Sequence, residues 1–155
     1  MTLRLALFEP DIPQNTGTLM RLGACLGVPV DIIEPCGFPI SDRALRRSAM
    51  DYAELLDLTL HQDWDDFWAA QAESGRRVVL LSTKAAVNYV NFAFGPQDTV
   101  LLGRESAGVP DSVHAQVPAR ITIPMAAGAR SLNVAMAGAM VVGEALRQLS
   151  LGVSS

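Results

Sequence analysis

The 155-residue chain is short of several things, and each shortage removes a class of function. It has one lysine, Lys84, two histidines and two cysteines, and only 18% of it is charged. Its longest apolar stretches are too short to cross a bilayer, and no charged segment followed by a cleavable apolar one opens it. The expectation is a soluble, cytoplasmic protein. Cys25 and Cys36 stand in apolar contexts without companion ligands, so they read as reduced, packed thiols. His61 and His114 lie far apart and away from Cys or acidic clusters at ligand spacing, so no metal is expected. The G-x-G-x-x-G turn, the G-x-x-x-x-G-K-[ST] loop and the G-x-S-x-G elbow are all missing. A standard dinucleotide site, a P-loop and an α/β-hydrolase nucleophile are therefore unsupported. A net charge of −4 argues against nonspecific nucleic-acid binding by the whole surface.

What is present is apolar: half of the residues. That surplus implies either apolar surface buried between subunits or simply a large core. The length fits one domain. Leu3 to Phe8 reads as a strand broken at Glu9 to Pro13, with Asn15 as N-cap of a helix over Thr16 to Leu26 that stops at Gly27. Val28 to Ile33 is a second strand. Ser41 or Asp42 then caps a short helix on which Arg43, Arg46 and Arg47 share one face, as a basic patch or a solvated one. A strand is expected near Leu55 to Leu60, and a helix over Trp64 to Ala72 with Trp64, Phe67 and Trp68 toward the core. Arg77 to Ser82 and Val100 to Gly103 look like strands buried on both faces, and Arg120 to Ile123 like another. From Val134 to Gly143 the chain is apolar or small, which predicts a final helix buried nearly all round. Strands alternating with helices imply a largely parallel α/β sheet.

Three loops at strand ends carry polar groups. In the first, Asn15 and Gly17 precede Arg21, about 9 Å along a helix from Asn15, where a guanidinium can fold over the helix start and grip phosphate. An N-cap plus a solvated arginine explains the same residues. In the second, Gly103 and Gly108 permit close backbone approach, and Glu105 offers acceptors for hydroxyls or an arginine. A turn with no further role reads equally well. In the third, Arg130, Ser131 and Asn133 cluster at a helix start, where free N–H groups favour ligands. Capping accounts for one of them.

Taken together, Asn15-x-Gly17-x-x-x-Arg21, Leu102-Gly103-Arg104-Glu105-Ser106-x-Gly108-x-Pro110 and Ile123-Pro124-Met125 followed by Arg130-Ser131-Leu132-Asn133 resemble the three ordered motifs of the SPOUT methyltransferases. The Pro10 to Gly17 opening, the Ile33-Glu34-Pro35 turn and the Leu45-Arg46-Arg47 and Asp51-Tyr52 pairs are similar to the branch that methylates the 2′-oxygen of cytidine or uridine 34 of tRNA. The resemblance covers almost the whole chain. It implies a single-domain, Rossmann-like α/β fold with a C-terminal deep trefoil knot over about residues 78–150, no appended RNA-binding domain, and a homodimer paired through the knot. It implies S-adenosyl-L-methionine as cofactor, held by Leu81, Ser82, Thr83, Gly103, Glu105, Ile123, Met125, Ser131, Leu132 and Asn133. Arg21 matches the catalytic arginine, with Asn15, Ser131 and Asn133 beside it. Arg43, Arg46, Arg47 and Arg130 would contact RNA, and the substrate would be the anticodon stem-loop of a tRNA, with leucine tRNAs expected. The alternatives are a 2′-O-methyltransferase for another tRNA position or ribosomal RNA, and a noncatalytic nucleotide-binding protein of the same fold.

Overall fold

The computed structural model describes residues 2–41, 43, 45, 47 and 50–153. Six strands, β1 (Arg4–Phe8), β2 (Val30–Ile33), β3 (Leu58–His61), β4 (Arg77–Leu81), β5 (Asp98–Leu102) and β6 (Ala119–Ile121), form one sheet in the order β3-β2-β1-β5-β4-β6. Every pairing is parallel. Helices α1 (Pro13–Leu26), α2 (Trp64–Glu73), α3 (Asp111–Gln116) and α4 (Val134–Val153) cover it. Alternation along the strands assigns the faces. Leu5 and Leu7 join Val100, Leu102 and the buried faces of α1 and α4, while Ala6 and Phe8 join Leu80, Leu101, Phe67 and Val113 on the other side.

Several boundaries differ from the sequence reading. Asn15 is not the N-cap: α1 begins two residues earlier at Pro13, with Ile12 in the cap position and no side-chain cap bond. Proline needs no N–H at the first turn, so it opens the helix without a capping side chain. The expected strand near Leu55 starts only at Leu58, because Met50–Leu55 winds into a 3-10 helix. Arg43, Leu45 and Arg47 are helical, and the backbone N–H of Leu45 donates to Ser41. Asp42 and Arg46 lie outside the described residues.

Helix α4 also departs from expectation. Ala135, Ala137, Gly138, Val141, Val142 and Ala145 are buried, yet Met136, Met140, Ala139 and Gly143 are exposed, Met136 by 65%. From Val134 to Gly143 the helix is apolar all round but covered by its own chain on one side only. A Cβ on Gly138 would lie 2.7 Å from Leu102 and 2.9 Å from Leu19, so the helix packs closely there, whereas one on Gly143 would meet nothing within 4 Å.

The C-terminal half is threaded through itself. The N–H of Ser82, just after β4, donates to Ile121, while Thr122 turns the opposite way, donating to Val87 and accepting from Tyr89. The segment through Thr122 therefore runs between β4 and the connection that leaves β4 for β5. That connection is pinned near its β5 end. Arg77 and Asp98 pair through two hydrogen bonds of 2.8 and 2.7 Å, and Gln148 of α4 donates to Phe92 and accepts from Phe94. Such threading is rare in proteins, and it makes this an α/β knot fold.

Candidate active site

At the C-terminal ends of β4, β5 and β6, where open parallel sheets bind ligands, lies a cavity of about 510 Å³. Its walls are three loops. One follows β4 and supplies Leu81, Ser82, Thr83 and Lys84, and the second follows β5 and supplies Gly103 to Val109. The third runs from Thr122 to Asn133 and reaches the start of α4. Leu81, Ser82, Thr83, Gly103, Glu105, Ile123, Met125, Ser131, Leu132 and Asn133 all line it, together with Asn15 and Arg130.

The second loop is a tight turn because its glycines let it be. Arg104 and Gly108 exchange backbone hydrogen bonds of 3.0 and 2.9 Å, and Gly108 sits at φ 62°, where a side chain is strained. A Cβ on Gly103 would lie 2.7 Å from the backbone of Gly108. The Arg104 side chain adds a third bond to the Gly108 carbonyl at 3.0 Å and lies over the Phe8 ring.

Glu105 ties this loop to the segment between β1 and α1. Its carboxylate accepts from the backbone N–H of Asp11 at 3.1 Å, and its own N–H donates to the Asp11 carboxylate at 3.2 Å. The Ser106 hydroxyl also donates to Asp11. Burial first, and the Asp11 carboxyl second, raise Glu105 above its ordinary value, whereas the hydrogen bond with Glu105 leads the effects that lower Asp11. The two carboxyls are thus set apart, Asp11 below and Glu105 above their ordinary values. Nearby, burial first and then the charges of Glu34, Glu9 and Glu105 push the Cys36 thiol up to about 12, so it is inert as a nucleophile.

Asn133 has two tasks. Its side-chain oxygen caps α4, accepting from the N–H groups of Ala135 at 2.9 Å and Met136 at 3.2 Å, and its amide nitrogen donates to Asn15 at 3.1 Å. The bond joins the first turn of α1 to the third loop on the cavity wall. Ser131 is exposed on the cavity wall and caps nothing.

Arg21 is brought near neither Asn15 nor the cavity. It is exposed on α1 and, instead of folding over the helix start, lies with its guanidinium carbon 4.8 Å from the Tyr52 ring centroid. Arg43 and Arg47 are exposed away from the cavity walls. The sequence reading missed Asp11 as a partner of Glu105, because 94 residues separate them and no spacing announces the contact. It also considered His114 only as a metal ligand without companions. His114 lines the cavity, and its Nε2 is buried with no hydrogen-bond partner among the described residues. Among those residues no group of His, Cys, Asp or Glu is placed to hold a metal, and no helix is long and apolar enough to cross a membrane.

Comparison with known proteins agrees with this geometry. The profile of the SpoU rRNA Methylase family matches residues 2–143. A curated protein of Beijerinckia indica, named tRNA (cytidine(34)-2′-O)-methyltransferase, is 59% identical over 145 residues, covering 94% of this chain and 91% of its own. A solved structure described as giving insights into the 2-OH methylation of C/U34 on tRNA superposes with TM-score 0.88 at 38% identity, covering 96% and 97% of the two chains. An AdoMet-bound rRNA methyltransferase from Sinorhizobium meliloti superposes with TM-score 0.83 at 27% identity, covering 96% of this chain and 57% of that one.

Proposed function

The chain belongs to the SpoU rRNA Methylase family, and from that premise we propose that it uses S-adenosylmethionine to methylate the ribose 2′-hydroxyl of the wobble nucleotide, position 34, of tRNA. The observation that carries this reading is the single cavity on whose walls the strand-end residues, Ser131 and the Asn15–Asn133 pair converge. The names of the 59% identical relative and of the superposed structure support the position on the tRNA. Within that reading the substrate is the anticodon stem-loop, with leucine tRNAs as the expected species, and the enzyme works in the cytoplasm.

The residues present suit the cofactor. The glycine-bounded turn admits a ligand against backbone, apolar Leu81, Ile123 and Met125 can flank a ring, and the unpartnered His114 Nε2 leaves polar capacity at the wall. When bound, S-adenosylmethionine supplies an electrophilic methyl group on a sulfonium sulfur. The protein must align the 2′-oxygen with it and ease the loss of the hydroxyl proton. Arg21 is suited to part of this. A guanidinium stays protonated at all working pH values, so it is a poor base, but it can grip the adjacent phosphate and stabilise a developing alkoxide.

Arg21 does not line its own chain's cavity, and the Met136 and Met140 face of α4 is bare. Both facts support a homodimer paired through the knot, which we place at about residues 78–150, with Arg21 serving the partner's cavity. Arg43, Arg46, Arg47 and Arg130 would hold phosphates, so tRNA binding should weaken as salt rises. Transfer of label from S-adenosylmethionine to tRNA of cells lacking the protein, with the modified nucleotide mapped, tests the reaction. Label at any position other than 34, or none, would sink the reading. Arg21→Lys keeps charge and loses the fork, so it should bind cofactor normally and lose most transfer.

A further inference from the structure

Arg21 has an aromatic partner where a surface arginine would often have a carboxylate. Its guanidinium lies 4.8 Å from the centroid of the Tyr52 ring, and among the described residues no acidic group pairs with it. Tyr52 belongs to the 3-10 helix Met50–Leu55 and is partly buried against the core cluster beneath α1. The core fixes the ring, and the ring in turn meets the arginine. The chemistry of this pairing differs from that of an ion pair. A carboxylate would take two of the five donors and cancel the charge. A ring attracts the cation to its face and leaves the N–H edge, which lies in the plane of the guanidinium, unused.

We propose that Tyr52 is a positioning residue for the reaction: its ring face holds the Arg21 guanidinium so that charge and donors stay available to the phosphate beside the reacting ribose. This rests on the reading of Arg21 given above. It gives Tyr52 a task that is neither cofactor binding nor direct contact with the reacting atoms.

The experiment compares Tyr52→Phe, which keeps the ring, with Tyr52→Leu, which keeps apolar contact with the core and loses the face. Methyl transfer from labelled S-adenosylmethionine to tRNA of cells lacking the protein gives kcat, and calorimetry gives the cofactor Kd. The expected result is a fall in kcat of about five- to tenfold for Tyr52→Leu with an unchanged cofactor Kd, and recovery to within about twofold in Tyr52→Phe. In an Arg21→Ala background, Tyr52→Leu should cause no further loss. A Tyr52→Leu variant within about twofold of the parent, an equal loss in Tyr52→Phe, or a full additional loss in the Arg21→Ala background overturns the proposal. Tyr52→Met is judged by the same criteria if Tyr52→Leu fails to melt cooperatively. Arg21→Ala separates the two readings. If it is inactive while Tyr52→Leu is normal, only the Tyr52 proposal fails; if it turns over normally, the role of Arg21 fails and takes the proposal with it.

Discussion

Replacing Gly103 by alanine should cost both stability and cofactor affinity, although it adds a single methyl group. The new Cβ would stand 2.7 Å from the Gly108 carbonyl carbon, 2.8 Å from its Cα and 3.1 Å from the Val109 nitrogen, all of them backbone atoms. Reaching ordinary contact at 3.4 Å requires the turn to retreat by about 0.7 Å. The three hydrogen bonds between Arg104 and Gly108, now 2.9 to 3.0 Å, would then stretch past useful length. Losing two or three such bonds at about 0.5–1.5 kcal/mol each is offset by about 0.4–1 kcal/mol from the stiffer unfolded chain. Taken mid-range, the net is a destabilisation of about 2 kcal/mol, or about 4–8 °C in Tm for a domain of this size. Because the same turn forms a cavity wall and carries Glu105, Kd for S-adenosylmethionine should rise about tenfold. Thermal melts and isothermal calorimetry measure the two effects, with Gly95→Ala, which meets nothing within 4 Å, as the control. A Gly103→Ala variant within about 0.5 kcal/mol of the parent and with unchanged affinity would refute the steric argument.

Asn133→Ala should lose about 1 kcal/mol of helix capping and also most methyl transfer. Asn133→Asp keeps the capping acceptor but lacks the donor to Asn15, so denaturant melts should show recovery while the transfer assay does not. Asp31 is 2% exposed, and burial alone would raise its pKa, but hydrogen bonds from His61 and Arg4 outweigh burial and hold it below the ordinary carboxylate range. A depressed folded-state pKa means that the unfolded chain binds the proton more readily. Its stabilisation is therefore complete above about pH 4 and lost as pH falls through the lower folded value. Urea melts from neutral to acid pH should show a shallower acid loss in Asp31→Asn, together with a drop of about 2 kcal/mol or more at neutral pH from the orphaned Arg4. Finally, iodoacetamide near pH 8 should modify exposed Cys25 well before Cys36, whose thiol is pushed up to about 12; equal labelling by mass spectrometry would contradict that burial argument.

Much of the cavity was legible because strand ends and turn formers are local signals. Pro124 stops the chain after β6, Gly103 and Gly108 bound a turn, and Asn133 stands before a helix, so each loop could be placed at a strand end from its own residues. The family resemblance implied a set of cofactor-binding residues, and every one of them lines the cavity. The start of α1 was misread for a local reason. Proline at the first turn is as good an opening as a capping asparagine, and Asn15 reaches across to Asn133 instead.

The α/β class, the helix stop at Gly27 and the loops that carry polar groups are written in short stretches of the chain, because apolar runs, glycine and proline act over a few residues. Only the tertiary structure decided that the segment through Thr122 passes inside the connection from β4 to β5, that Asp11 clasps Glu105, and that Arg21 rests on Tyr52. It also decided that α4, apolar on every side from Val134 to Gly143, is covered there on just one. Periodicity reports how strongly a residue avoids water. Which distant residue meets it depends on topology, and no local pattern encodes that.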